Sequence, residues 1–141
     1  MQCVVYTTTV TRGRIPVFNN PEYAETVVSA ILYVHRSGWA EVYAFVVMPN
    51  HMHILFLPKK KTDSEVMMSI KGYTARTVNE KRGTRGPLWQ DRFHKLGIES
   101  RKFMEQKIKY TEENPVRAGL CLRPEDWPWS SARFPEILAL R

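Results

Sequence analysis

Ala44-Phe45-Val46-Val47-Met48-Pro49-Asn50-His51-Met52-His53-Ile54-Leu55-Phe56 is the stretch that organises this chain. Two apolar runs flank a Pro-Asn turn signal, and a turn that short returns the chain antiparallel. Residues 40–48 therefore read as one strand and residues 51–57 as the next. Side chains alternate faces along a strand, so His51 and His53 point the same way and Met52 points the other. Two imidazoles on one face of a rigid strand make half of a divalent-metal site, and Zn, Mn, Co and Ni all suit such donors. The same pattern also describes two ordinary histidines that pack or hydrogen-bond on a hairpin.

Outward from the hairpin, Cys3 to Thr11 is β-branched and aromatic and reads as a first strand. Asn20-Pro21 opens a helix that carries Val27, Val28, Ile31, Leu32 and His35 at helical spacing to about Arg36, and Gly38 closes it. Thr62 to Glu65 starts a second helix, running to about Lys81, with a stripe of Val66, Met67, Ile70, Tyr73, Thr74 and Val78. Leu88 to Ile98 reads as a fourth strand. Ser100 caps a third helix from about Arg101 to Glu113, with Asn114-Pro115 as its stop. The Trp- and Pro-bearing tail from Leu122 to Ser131 reads as an irregular cover before a short last helix. The order βαββαβα predicts an α+β, ferredoxin-like antiparallel sheet with helices packed on one face.

At 141 residues the chain is expected to form a single domain over residues 1–141, long enough to bury a core. Hydrophobic residues at 43% and charged residues at 25% are in the ordinary globular range. No apolar run is long enough to span a bilayer, and the opening residues lack the basic and apolar pattern of a signal peptide. The cysteines, Cys3 and Cys121, have no CxxC neighbour and fit a reduced cytoplasmic setting. Lys plus Arg is 21 against 14 Asp plus Glu, a net charge of +7 that suggests a polyanion partner.

The third helix brings further chemistry. Tyr110 and Asn114 are four apart and share a helical face if the helix persists that far. Tyr110 is a hydroxyl nucleophile or a core-edge aromatic. Asn114 is an oxygen ligand for a hard cation or a helix-end residue, with Glu113 as an alternative donor. His94 could face either site or core. There is no Gly-rich phosphate loop and no HExxH.

Taken together, Met48-Pro49-Asn50-His51-Met52-His53, Leu88-Trp89-Gln90-Asp91-Arg92-Phe93, Tyr110-Thr111-Glu112-Glu113-Asn114-Pro115-Val116-Arg117-Ala118-Gly119-Leu120 and Trp127-Pro128-Trp129-Ser130-Ser131 resemble the single-tyrosine HUH transposases. The REP-associated tyrosine transposases are the nearest branch. The resemblance is collinear over nearly the whole chain. It implies that His51 and His53 are metal ligands, that Tyr110 is the nucleophile, and that Asn114 stands at the third, amide-bearing ligand position. The implied cation is Mg²⁺ or Mn²⁺, and two imidazoles favour Mn²⁺ by ligand softness.

The implied reaction is DNA transposition chemistry. Tyr110 attacks a phosphate in single-stranded DNA, at hairpin-bearing repeat sequences, giving a 5′-phosphotyrosine and a free 3′-OH that can be rejoined. A free phenol has a pKa of about 10, so Tyr110 needs help from the metal or a base. Lys59, Lys60, Lys61, Arg76, Arg92, Lys109 and Arg117 are the expected phosphate contacts. The setting implied is the bacterial cytoplasm, with the protein a monomer or homodimer. Two other readings remain: a domesticated module that binds single-stranded DNA or RNA without cutting it, and a metal-dependent hydrolase of a small phosphate ester.

Overall fold

A computed structural model describes residues 3–141. Its centre is a four-stranded sheet in the order β2-β3-β1-β4, formed by β1 (Val5–Val10), β2 (Ala40–Met48), β3 (His51–Pro58) and β4 (His94–Gly97). All pairings are antiparallel. Met48 faces His51 across the Pro49-Asn50 turn, so the hairpin closes where the sequence places it. A bulge between Val42 and Ala44 lets Val42 and Phe45 face one side of the sheet while Ala44 faces the other.

Two long helices cover the first side. α1 (Pro21–Arg36) begins at Asn20, whose Oδ1 accepts from the Glu22 N–H at 2.9 Å. α2 (Asp63–Arg82) begins with a capping box between Thr62 and Glu65 and ends at Gly83, which takes a left-handed φ of 68°. Val27, Ile31 and Val34 of α1 and Val66, Met67 and Ile70 of α2 pack against Phe45, Met52, Ile54 and Phe56. Tyr73, expected on the buried stripe of α2, is 45% exposed, because Ile70 and Thr74 already fill the contact with the sheet.

The opposite side carries α3 (Arg101–Arg117), which packs Phe103, Met104 and Ile108 over Tyr6, Ala44 and Leu55. The expectation that all helices share one face is therefore corrected: α1 and α2 lie on one side and α3 on the other. The physical reason is that β1 and β3 are apolar on both faces, with Ile54 and Phe56 towards α1 and α2 and Leu55 and Tyr6 towards α3. α3 also runs through Asn114-Pro115 to Arg117 and does not stop at Glu113. Pro115 is buried, and the Arg117 guanidinium reaches back along the same helix to donate to the Tyr110 carbonyl at 2.7 Å.

The fourth strand is shorter than expected. Of residues 88–98, only His94–Gly97 pairs as a strand, while Trp89 makes an isolated bridge to Thr11. Trp89 leaves the ladder because its indole is buried on the α2 side, donating to Thr74 Oγ1 at 2.9 Å. The tail closes the outer edge of β2. Ser130 bridges Val46, the Val47 N–H reaches the Trp129 carbonyl at 2.9 Å, and Trp127 Nε1 donates to the Val47 carbonyl at 3.0 Å. Ser131, fully buried, accepts from the Phe45 N–H at 3.0 Å and donates to Glu112 of α3. α4 (Pro135–Leu140) follows.

Candidate metal and tyrosine site

His51 and His53 leave β3 on the α3 side, their ring centroids 4.9 Å apart and their planes at 75°. Each has a hydrogen-bond partner at Nδ1. Asn50 Oδ1 lies 2.7 Å from His51 Nδ1. An amide oxygen only accepts, so that nitrogen carries the proton and Nε2 keeps its lone pair. Thr8 Oγ1 lies 2.9 Å from His53 Nδ1 and accommodates the same tautomer. Thr8 is there because β1 pairs it with His53 across the ladder.

Both imidazoles are held neutral. Burial lowers the His53 pKa to about 3, with His51, Lys107 and Arg117 adding to the effect. Burial and then Arg14 lower that of His51. Neutral rings with Nε2 lone pairs are the form that binds a metal. Among the described residues, no group of three His, Cys, Asp or Glu side chains could hold a metal ion, so a third protein donor would have to be an amide or hydroxyl. Two imidazole nitrogens with oxygen donors fit Mn²⁺ better than Mg²⁺.

α3 lays Phe103, Lys107, Tyr110, Asn114 and Arg117 along one stripe, at alternating spacings of four and three. The packing stripe beside it is Met104, Ile108, Thr111 and Pro115, of which Thr111 and Pro115 are fully enclosed. Tyr110 is consequently 45% exposed, not sealed in the core. Its ring lies between the Arg117 guanidinium at 4.0 Å and the Lys107 ammonium at 4.7 Å. The same ammonium lies 4.8 Å from the ring of Tyr6, which stacks on His53, so the phenol and the imidazoles belong to one neighbourhood in one chain. Asn114 is half-buried one turn beyond Tyr110, and its amide makes no hydrogen bond among the described residues.

Sequence reasoning missed several members of this neighbourhood. Tyr6 stacks on His53 with ring centroids 5.3 Å apart and planes at 14°. Burial pushes its phenol pKa up to about 12, so it stays protonated. Arg14 adopts a positive φ of 55° after Gly13, curling the loop over Asn50, whose Nδ2 donates to the Arg14 carbonyl at 3.4 Å. The spacing of three before Tyr110 could have revealed Lys107. Thr8, Asn50 and Tyr6 depend on strand register and local turn geometry that spacing does not encode.

The expected phosphate contacts divide. Arg117 is at the site. Lys109 is exposed on α3, with Glu113 at 3.9 Å. Arg92 is exposed just ahead of His94, which pairs with Thr8 and so projects on the side of His53. Lys59, Lys60 and Lys61 are at the other end of β3, six or more residues past His53, roughly 20 Å at ~3.3 Å per residue. There Lys61 stacks over Trp39 and Lys59 meets Glu41 at 3.5 Å, so these lysines do not rim the histidines. Arg76 lines a cavity of about 590 Å³ between α1 and α2, on the far face of the sheet.

The comparisons with known proteins agree with this architecture. Residues 1–114 match the family model described as "Transposase IS200 like". The chain belongs to the IS200-like transposase family. It is 33% identical over 104 residues to a REP-associated tyrosine transposase of Escherichia coli (strain K12), a match covering 72% of this chain and 60% of that protein. The structure of a REP-associated tyrosine transposase bound to a REP hairpin superposes with a TM-score of 0.75 at 27% identity, covering 97% of this chain and 79% of that one. A candidate transposase from Deinococcus radiodurans R1 shares the fold, with a TM-score of 0.58 at 19% identity over 79% of this chain and 92% of that one. No helix among the described residues is long and apolar enough to cross a membrane.

Proposed function

We propose that this protein nicks and rejoins single-stranded DNA near a hairpin, with Tyr110 as the nucleophile and His51, His53 and Asn114 as metal ligands. The observation that carries the reading is the half-exposed Tyr110 on the same sheet face as two neutral imidazoles whose Nδ1 atoms are already engaged. The solved relative bound to a REP hairpin supports DNA as the partner.

In this reading the Tyr110 hydroxyl oxygen attacks phosphorus, the bond to the 3′ oxygen breaks, and the 5′ phosphate stays on the tyrosine. The phenol loses its proton to water and the departing 3′ oxygen gains one. A divalent cation bound at the pair would draw charge from the phosphate oxygens. The chain's own contribution is position: α3 holds Tyr110 through the packing of Ile108 and Thr111, which supports in-line attack. Arg117, Arg92 and Lys109 would bind flanking phosphates, while Lys59 to Lys61 and Arg76 would touch only more distant DNA. Because Tyr110 and both histidines come from one chain, a monomer suffices.

The test is a labelled strand carrying a REP-type hairpin, incubated with Mn²⁺ and resolved on a denaturing gel. Wild type should form a covalent adduct, and Tyr110→Phe should form none. Equal adduct from both proteins would refute Tyr110 as nucleophile. Binding that is unchanged by chelator, with no adduct under any metal, would instead favour a non-cleaving module.

A further inference from the structure

Unlike Lys109 and Arg117 on the same helix, Lys107 has no carboxylate within ion-pair reach among the described residues. Lys109 and Arg117 both approach Glu113, at 3.9 and 4.0 Å, and Arg117 also donates to the Tyr110 carbonyl. Lys107 is half-buried, with its ammonium 4.7 Å from the Tyr110 ring centroid, 4.8 Å from that of Tyr6 and 5.7 Å from that of Phe103. Tyr6 in turn lies flat on His53. The ammonium is thus bracketed by the proposed nucleophile and by the ring that backs a proposed metal ligand. Ring faces attract a cation but do not use up its N–H donors, and an ammonium has three. A partly desolvated cation with donors to spare, and no acid to answer it, suits an anionic ligand.

We infer that Lys107 is a catalytic residue that binds a non-bridging oxygen of the phosphate attacked by Tyr110. This rests on the nicking reading above. As the bond from Tyr110 Oη to phosphorus forms and the bond to the 3′ oxygen breaks, Lys107 donates a hydrogen bond to that non-bridging oxygen and offsets its charge. The rings of Phe103 and Tyr6 hold the ammonium in place before DNA arrives.

The test measures the affinity of a fluorescent dT12 strand with Mn²⁺ across a salt series. It compares wild type, Lys107→Met, Lys107→Arg and Lys102→Gln. Methionine keeps an unbranched side chain and removes the charge, and Lys102 is an exposed residue of the same helix. Lys107→Met should weaken binding about 10-fold at 0.1 M salt and reduce the slope of log K against log salt by ~0.7, the value for one phosphate contact on a single strand. Lys107→Arg should keep the slope, and Lys102→Gln should change affinity by less than about threefold. A Lys107→Met slope equal to wild type, or a loss no larger than that of Lys102→Gln, overturns the inference. Should Lys107→Met not fold, Lys107→Gln carries the same test. If wild type forms no covalent adduct with hairpin DNA, the nicking reading fails, and the salt slope still decides whether Lys107 binds phosphate.

Discussion

Replacing Thr8 by valine tests how the imidazoles are prepared for a metal. Valine keeps the β-branched shape, so the pairing of residue 8 with His53 and His94 should survive. What is lost is the hydroxyl 2.9 Å from His53 Nδ1. His53 is only 8% exposed, so little water can take the hydroxyl's place. A buried ring nitrogen without a partner costs about 1–3 kcal/mol. Without the hydroxyl nothing at Nδ1 supports a proton there, and a shift of the proton to Nε2 removes the lone pair a metal needs. Losing such an outer partner weakens metal binding by roughly 10- to 100-fold, or about 1.4–2.8 kcal/mol. Calorimetric titration with Mn²⁺ should therefore show that loss for Thr8→Val and near wild-type affinity for Thr8→Ser. A Thr8→Val protein that binds Mn²⁺ like wild type would refute the claim that this hydroxyl holds the His53 ring ready for a metal.

Ser131→Ala should lower stability by about 2 kcal/mol in urea, because the buried Phe45 N–H loses its acceptor and Glu112 loses a donor. Trp89→Phe should cost about 1–2 kcal/mol by the same assay, since the bond to Thr74 goes and the smaller ring leaves space in the core. The Lys95 ammonium, hydrogen-bonded to Asp63 at 2.9 Å, holds the Asp63 carboxyl below its ordinary range. A depressed carboxyl stabilises the fold above its unfolded pKa of about 3.9, and that contribution fades as pH falls through the lower folded value. Asp63→Asn should accordingly flatten the acid limb of stability against pH, and an unchanged limb would show that the ion pair contributes nothing there.

The elements that were legible from sequence are those whose signals are local. Pro49-Asn50 between two apolar runs gave the hairpin, and Asn20, Thr62 and Ser100 marked the starts of three helices. Asn114-Pro115 misled, because the burial of Pro115 within α3, a matter of tertiary packing, outweighed a local stop signal. Leu88 to Ile98 misled because aromatic content cannot tell a strand from a segment that sends Trp89 through to Thr74. The histidines, Tyr110 and Asn114 could be picked out along the chain, whereas Thr8 and Tyr6 reach them only through the register of β1 against β3. The triple lysine looked close in sequence, yet an extended strand carried it to the other end of the sheet.

The tail that seals β2 has a bearing on the proposed nucleophile. Glu112, two residues beyond Tyr110, accepts from Ser131 and from Arg141 at 2.8 Å, and Arg141 also reaches the Tyr43 carbonyl at 3.4 Å. The last described residue is therefore tethered to the turn of helix that presents the phenol. Replacing Arg141 would release that tether from a point remote in sequence, so the helical turn that carries Tyr110 should loosen while the sheet and its core stay intact.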